Sequence, residues 1–464
     1  MPKSDILANF RKDVRNKTLP AVSWLVAPQY FSDHPSAPWF GAWYVSEVLS
    51  ILTHNEEIWK KTIFILTYDE NDGYFDHVPP FTAPDWRSKA TGDVSKTITN
   101  LDKEFVTFND ELKQKGVRPD KAREHAIGLG YRVPFIVASP WSRGGIVNSQ
   151  VFDHTSVVQF IENFASRKTG KRLRLENISE WRRAICGDLS SVFHPYNGEK
   201  IKDLAFMERD VYVKNINEAR FRPLPAMVNP LSKEERELLR ADFTYTKTFF
   251  KQEEGIKPSS ALPYELYADG NLDGTKREIS FRFEASNNIF KAKAAGSPFL
   301  LYKYAVSDNG ASRGEANWSF AVAAGEHLTY TMPLAYSDSP LYHFMLFGPN
   351  GFFRELRGNI DQPDLHVVCS DGGSALGGRP TLKLLLSNPT TKSAAITIKD
   401  HCYGQKDRER RIPPLGKDEV VIDFSKSSGW YDFSVLVNGT GSFERRYAGR
   451  VETGRPTISD PAMA

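Results

Sequence analysis

Hydrophobic periodicity changes once along this chain, near residue 279, and that change constrains the fold more than any other feature. Before about residue 200, short apolar runs alternate with stretches of helical spacing. Segments 19–27, 62–68 and 131–138 read as strands. Segment 42–53 carries Trp43, Val45, Val48, Leu49 and Leu52 at helical spacing, and 155–165 reads as a second helix with Asp153 placed to cap it. Near-continuous apolar strands separated by helices specify an α/β sheet covered on both faces, whose ligands bind beyond the carboxyl ends of the strands. Residues 201–278 are rich in proline and poor in pattern and read as a connector. From 279 onward, apolar and polar residues alternate over short stretches separated by Gly, Asn, Asp and Pro, as in an all-β region.

The β region contains an internal repeat. Tyr342-His-Phe-Met-Leu-Phe-Gly-Pro-Asn-Gly-Phe-Phe-Arg-Glu-Leu-Arg-Gly358 resembles the stretch from Tyr431 to Gly449, and each copy has the pattern of a hairpin. Two sandwich-like modules are expected, at 279–361 and 362–452. Two copies are too few for a solenoid or propeller.

Composition narrows the function classes. Hydrophobic residues are 40% and charged residues 25% of the 464 residues, an ordinary globular balance that excludes wholesale disorder. With 60 Lys and Arg against 57 Asp and Glu the net charge is only +3, so the chain as a whole lacks the signature of a nucleic-acid-binding protein. No apolar run approaches the roughly 18–20 residues that cross a bilayer. The opening residues lack the basic, apolar, small-residue succession of a signal peptide. Cys186, Cys369 and Cys402 have no metal-ligand spacing. At most Cys369 and Cys402 could pair, and buried thiols are the expected state.

Chemistry concentrates in Asp69-Glu70-Asn71-Asp72-Gly73-Tyr74-Phe75-Asp76-His77, which follows an expected buried strand. Four carboxylates and a histidine within nine residues offer hard oxygen ligands for Mg²⁺, Ca²⁺ or Mn²⁺, with a proton-handling group beside them. Adjacent Asp69 and Glu70 point to opposite faces of a regular strand, so both reach one ion only where the chain leaves the pleat. Asn71-Asp72-Gly73 supplies that turn. The same residues also suit a solvated hairpin turn, and pattern alone leaves the two readings open. A lone histidine is more often structural than catalytic. His34 and His154 stand out because each follows an aspartate at a strand-to-helix junction, whereas His54 and His125 do not.

The residues 67–79, with Ser32-Asp-His-Pro35, Arg132-Val-Pro-Phe-Ile-Val-Ala-Ser-Pro-Trp-Ser142 and Phe152-Asp-His-Thr-Ser-Val157, resemble the bacterial phosphocholine-specific phospholipase C family. That family groups with certain acid phosphatases in a phosphoesterase family of alkaline-phosphatase-like fold. The resemblance implies a partial alkaline-phosphatase-like sheet domain over 1–200, followed by the two small all-β domains. It implies a divalent metal ion held by Asp69 and Glu70, with His34 contacting the phosphoryl group and His77 and His154 as further catalytic-site histidines. A metal-bound hydroxyl nucleophile attacking phosphorus would release phosphocholine from phosphatidylcholine or sphingomyelin, with contact to a membrane surface and no nucleic-acid partner. The family's location is periplasmic or secreted.

One departure matters. The family carries a Glu-Asn-Arg-Ser-Phe-Asp-His-like motif and a hydroxyl nucleophile, and neither is found in this sequence. The expectation is therefore a chain equivalent to the carboxyl-terminal portion of such an enzyme, with little phospholipase activity alone. An acid phosphatase or other phosphodiesterase on the same fold, or an inactive remnant carrying lipid- or partner-binding β domains, are the alternatives.

Overall fold

The computed structural model describes residues 5–32, 38–71, 73–195, 208–223, 229–241, 255–273, 275, 277–306, 312–334, 340–361 and 365–463. It shows a mixed α/β region followed by a β-rich region. In the helix Pro38–Thr53, Tyr44, Val48, Ile51 and Leu52 are buried, the i, i+4, i+7, i+8 stripe of an amphipathic helix. That stripe packs on Leu7, Phe10 and Val14 at and within the helix Ala8–Asn16. Asn55 then caps the short helix Glu56–Trp59 by accepting the Ile58 N–H at 3.2 Å.

The expected sheet differs from the reading above. Strand Phe64–Thr67 pairs with Phe135–Ala138 in antiparallel register, Phe64 opposite Ala138 and Thr67 opposite Phe135, as a two-stranded sheet. It is not covered on both faces: Thr67 is exposed and Ile136 is 54% exposed. Segment 19–27 is not a strand but an irregular, largely exposed stretch with Trp24 and Val26 facing solvent. A strand is made by its ladder, and among the described residues no strand pairs with this segment.

Helix His154–Thr169 starts at Asp153, whose N–H donates to Ser156 Oγ at 3.1 Å, and ends at Gly170 in the left-handed region (φ +68°). A second helix, Glu180–Ile185, carries the fully buried Trp181 and Ile185. Their cluster includes Ala83, Ile98 and Ala321, so the α/β region and the β-rich region share one core. Strand Gly92–Val94 continues that union by pairing parallel to Ser312–Val322 at the edge of a nine-stranded sheet. Gly92 is required there, because a Cβ would lie 1.8 Å from the Ser319 carbonyl oxygen and its φ is +130°.

Two three-stranded sheets pack on the nine-stranded one. Strands Leu266–Asp273, Glu278–Ala285 and Glu326–Pro333 form the first, burying Ile279, Phe281 and Phe283 against Phe299, Phe320 and Phe344. Strands His366–Asp371, Thr381–Ser387 and Lys417–Asp423 form the second, over a cluster that includes Leu384, Ile396, Phe433 and Val435. Leu266–Asp273 lies inside the stretch read as connector, yet it pairs along its length with Glu278–Ala285. The hairpins Leu341–Phe347/Phe353–Asn359 and Trp430–Val437/Glu444–Arg450 lie side by side, because Phe353–Asn359 pairs antiparallel with Glu444–Arg450. Buried Arg354 donates to Tyr431 Oη at 3.3 Å, and buried Arg445 donates to Tyr342 Oη at 2.7 Å, so each hairpin sends an arginine into the other. Cys186, Cys369 and Cys402 are free thiols; Cys402 is exposed, correcting the expectation that all three are buried.

Candidate active site

Beyond Thr67 the chain leaves the strand, and Asp69 and Glu70 both stand exposed. Asp69 Oδ1 accepts the Glu70 N–H at 3.0 Å, a local bond between side chain and backbone. The turn closes with Tyr74 N–H donating to Asn71 O at 2.9 Å, and Gly73 takes φ +79°. Two tethers hold this loop from outside. Asp76 receives both arms of Arg132, the second (Nη2 to Oδ1) at 2.9 Å, and the Phe75 ring meets Tyr131 edge-on at 5.6 Å. The Arg132 guanidinium holds the Asp76 carboxyl well below the usual carboxylate range despite partial burial.

The second anchor is His154. Its Nε2 lies 2.9 Å from the Asp69 carbonyl oxygen. A carbonyl only accepts, so Nε2 carries the proton and donates it, leaving Nδ1 as the ring's other functional nitrogen. His154 occupies the first position of its helix, and that end is fixed from behind. Arg182 Nη1 donates to Asp153 Oδ2 at 2.6 Å, while its other arms donate to Glu104 at 2.9 Å and to the Gly128 carbonyl at 2.9 Å. Ser179 Oγ completes the buried Glu104 at 2.6 Å.

The remaining sequence-derived residues are less converged. His77 is 86% exposed, with Nδ1 3.2 Å from Asp76 Oδ1. His34 lies outside the described residues. His54, read as structural, sits within 2.6 Å of the Ser50 carbonyl at its helix end. His154 thus meets the backbone of the loop that carries Asp69 and Glu70. Sequence reasoning did not single out Asp76, Arg132 or Arg182. Asp76 and Arg132 lie in the quoted motifs as an acid and a base, but nothing in their spacing pairs them.

Asp69 and Glu70 are hard oxygen donors of the right chemistry for a divalent cation. Among the described residues, however, no group of three or more His, Cys, Asp or Glu side chains converges to hold an ion. Two exposed carboxylates start a coordination shell without closing it, so the described residues alone do not fit a resident metal.

The phosphoesterase family profile matches residues 1–165, and the profile of the bacterial phospholipase C C-terminal domain matches 258–359 and again 364–450. Over residues 1–165 the chain is similar to the phosphoesterase family, and over its β-rich part to the C-terminal domain of bacterial phospholipase C. More particularly, it is 36% identical to the non-hemolytic phospholipase C of Pseudomonas aeruginosa, over 98% of this chain and 60% of that protein. It is 33% identical to the hemolytic phospholipase C of the same organism, over 98% of this chain and 59% of that protein. The non-hemolytic phospholipase C of Burkholderia pseudomallei is 33% identical, over 98% of this chain and 58% of that protein. The chain therefore spans about 60% of the length of the curated relatives it matches. Among solved structures, red sea bream transglutaminase aligns with 45% of this chain and 32% of its own at 17% identity and a TM-score of 0.15, too low to carry an argument.

Proposed function

We propose that this chain contributes the Asp69–Glu70 loop and the β-rich region of a phospholipase C that cleaves the glycerol-side or ceramide-side phosphodiester bond of a choline phospholipid. The observation that carries the reading is the contact of His154 Nε2 with the Asp69 carbonyl at 2.9 Å, which ties the helix end to the loop bearing the acidic pair, in a chain whose relatives are named phospholipase C. The fold is read as part of an alkaline-phosphatase-like sheet domain, with two β modules divided near residue 362.

In this reading Asp69 and Glu70 would offer two carboxylate ligands to a divalent cation. Such a cation would stabilise the charge that develops at phosphorus. His154 is a positioning residue: its Nε2–H fixes the carbonyl beside the Asp69 side chain and so orients the loop. Arg132 does the same from the other end of the loop through Asp76. His77 is solvent-facing and available to exchange protons, and His34 is assigned to the phosphoryl group by the resemblance alone. A periplasmic or secreted location follows from the same resemblance; no described helix is long and apolar enough to cross a membrane.

The test is product analysis. This chain, and a chimera in which it replaces the matching stretch of the Pseudomonas aeruginosa non-hemolytic enzyme, are given phosphatidylcholine and p-nitrophenyl phosphate. Phosphocholine release by the chimera supports the reading. Inorganic phosphate release from the monoester without phosphocholine release assigns the site to a phosphatase instead.

A further inference from the structure

A second surface stands apart from the acidic loop. Helix His154–Thr169 carries His154 at its first position, and roughly 22 Å away along its axis, at 1.5 Å per residue, lies its carboxyl end. The sequence there, Arg167-Lys168-Thr169-Gly170-Lys171-Arg172-Leu173-Arg174, places five cations in eight residues with no acidic residue among them. Gly170 turns the chain back, and Ser166 Oγ accepts the Leu173 N–H at 2.8 Å. The return encloses an open hollow of about 630 Å³ lined by Arg167, Lys171, Arg172 and Arg174, with Glu162 and Arg183 at its base.

The charges in this hollow are not balanced. Glu162 is engaged by both arms of Arg183 at 2.9 Å, and Glu180 by Arg174 at 2.6 and 2.8 Å. Among the described residues no carboxylate pairs with Arg167, Lys168, Lys171 or Arg172, all of them exposed. The helix end carries only about half a negative charge, far short of balancing four cations. Beside them Phe164, Leu173 and Leu175 are exposed at 42%, 43% and 52%. The chain's net charge of +3 makes this a local concentration, not a general bias.

We propose that this hollow and its apolar rim form a docking surface for an anionic lipid bilayer. Cations meet phosphate headgroups while Phe164, Leu173 and Leu175 enter the headgroup boundary, the combination that amphipathic surface elements use. A nucleic acid is less well matched, because the charges are confined to one helix end and no row of aromatic rings lies among them to stack bases. The surface does not depend on the catalytic reading, since it lies at the other end of the helix and is measured without turnover.

The experiment is vesicle co-sedimentation of this chain with phosphatidylcholine vesicles, alone or containing phosphatidylglycerol, at low and high salt. Binding is expected only with phosphatidylglycerol and is expected to fall at high salt. The variant Arg167→Ser/Lys171→Ser/Arg172→Ser is expected to lose about hundredfold in partitioning, at about a fivefold loss per basic residue, with an unchanged melting temperature because all three side chains are exposed. If that variant folds poorly, Leu173→Ser and the salt dependence of the unmodified chain carry the same comparison. Equal, salt-insensitive binding to both vesicle types, an unaffected triple variant, or binding to duplex DNA with none to vesicles overturns the proposal.

Discussion

Arg182 is the residue through which the helix bearing His154 is held, and replacing it by methionine gives a worked prediction. Its guanidinium makes hydrogen bonds of 2.6–2.9 Å to Asp153, Glu104 and Gly128 O. The side chains of Glu104 and Asp153 are only 3% and 5% exposed. Burial disfavours the guanidinium charge, but the two carboxylates more than offset it and raise its affinity for the proton. Methionine keeps the packing volume on Trp181 and removes the charge, leaving two buried carboxylates with Ser179, Thr155 and the Cys186 thiol as neutral side-chain donors. Breaking a buried pair on one side costs ~3–5 kcal/mol. With a urea dependence of roughly 2 kcal/mol per M, the midpoint for this region falls by roughly 1.5–2.5 M. Hydrogen–deuterium exchange of peptides covering residues 154–186 across a urea series reads that midpoint apart from the β-rich region. Adding Glu104→Gln restores part of the loss, because the neutral amide needs no counter-charge. A midpoint within about 0.5 M of the parent's would refute the claim that this network fixes the helix.

Other expectations follow from single residues. Burial pushes the Asp269 carboxyl up to about 6, with Arg354, the Cys369 N–H and Tyr447 Oη only partly countering it. The folded state therefore holds a proton that the unfolded chain has lost, and stability drops as pH rises from about 4 to about 6, by about 3 kcal/mol. Asp269→Asn should remove that slope, seen as a variant-minus-parent melting difference that grows more positive across this window. Gly92→Ala should cost at least ~3 kcal/mol, because its Cβ meets the Ser319 carbonyl oxygen at 1.8 Å at φ +130°, and thermal unfolding checks it. His154→Ala in an active chimera should lower phosphocholine release roughly 10–100-fold by loosening the Asp69 loop. His154→Gln, whose amide can still donate to the Asp69 carbonyl, should recover part of the activity.

Local patterns were legible wherever one element decides its own state. The stripe that buries Val48 and Leu52 reads as a helix because every contact it needs repeats at helical spacing. Ile279, Phe281 and Phe283 alternate with outward Ser280 and Arg282 and read as a strand for the same reason. Segment 19–27 misled because apolar composition alone does not create a ladder. The antiparallel direction of Phe64–Thr67 against Phe135–Ala138 was equally hidden, since no residue in either strand encodes its partner. Strand Leu266–Asp273 reads poorly because its middle is Asp269-Gly270. Gly270 is small so that Leu356 can pack where a Cβ would be, 2.2 Å from Leu356 Cδ2, and Asp269 is polar to meet Cys369 N–H and Tyr447 Oη. At the candidate site the acidic cluster was visible, but the contact of His154 with Asp69 joins positions 85 apart in sequence, and only the fold brings them together.

The account's central claim is that the carboxylates of Asp69 and Glu70 serve phosphodiester cleavage instead of shaping a solvated turn. The direct measurement is phosphocholine release from phosphatidylcholine by the active chimera and by its Asp69→Asn and Glu70→Gln variants, with melting temperatures recorded alongside. Each substitution keeps side-chain volume and removes one charge at an exposed position, so the fold should be unchanged while activity falls on the order of a thousandfold. Near-parental activity in either variant would contradict the account and return the pair to the role of a turn.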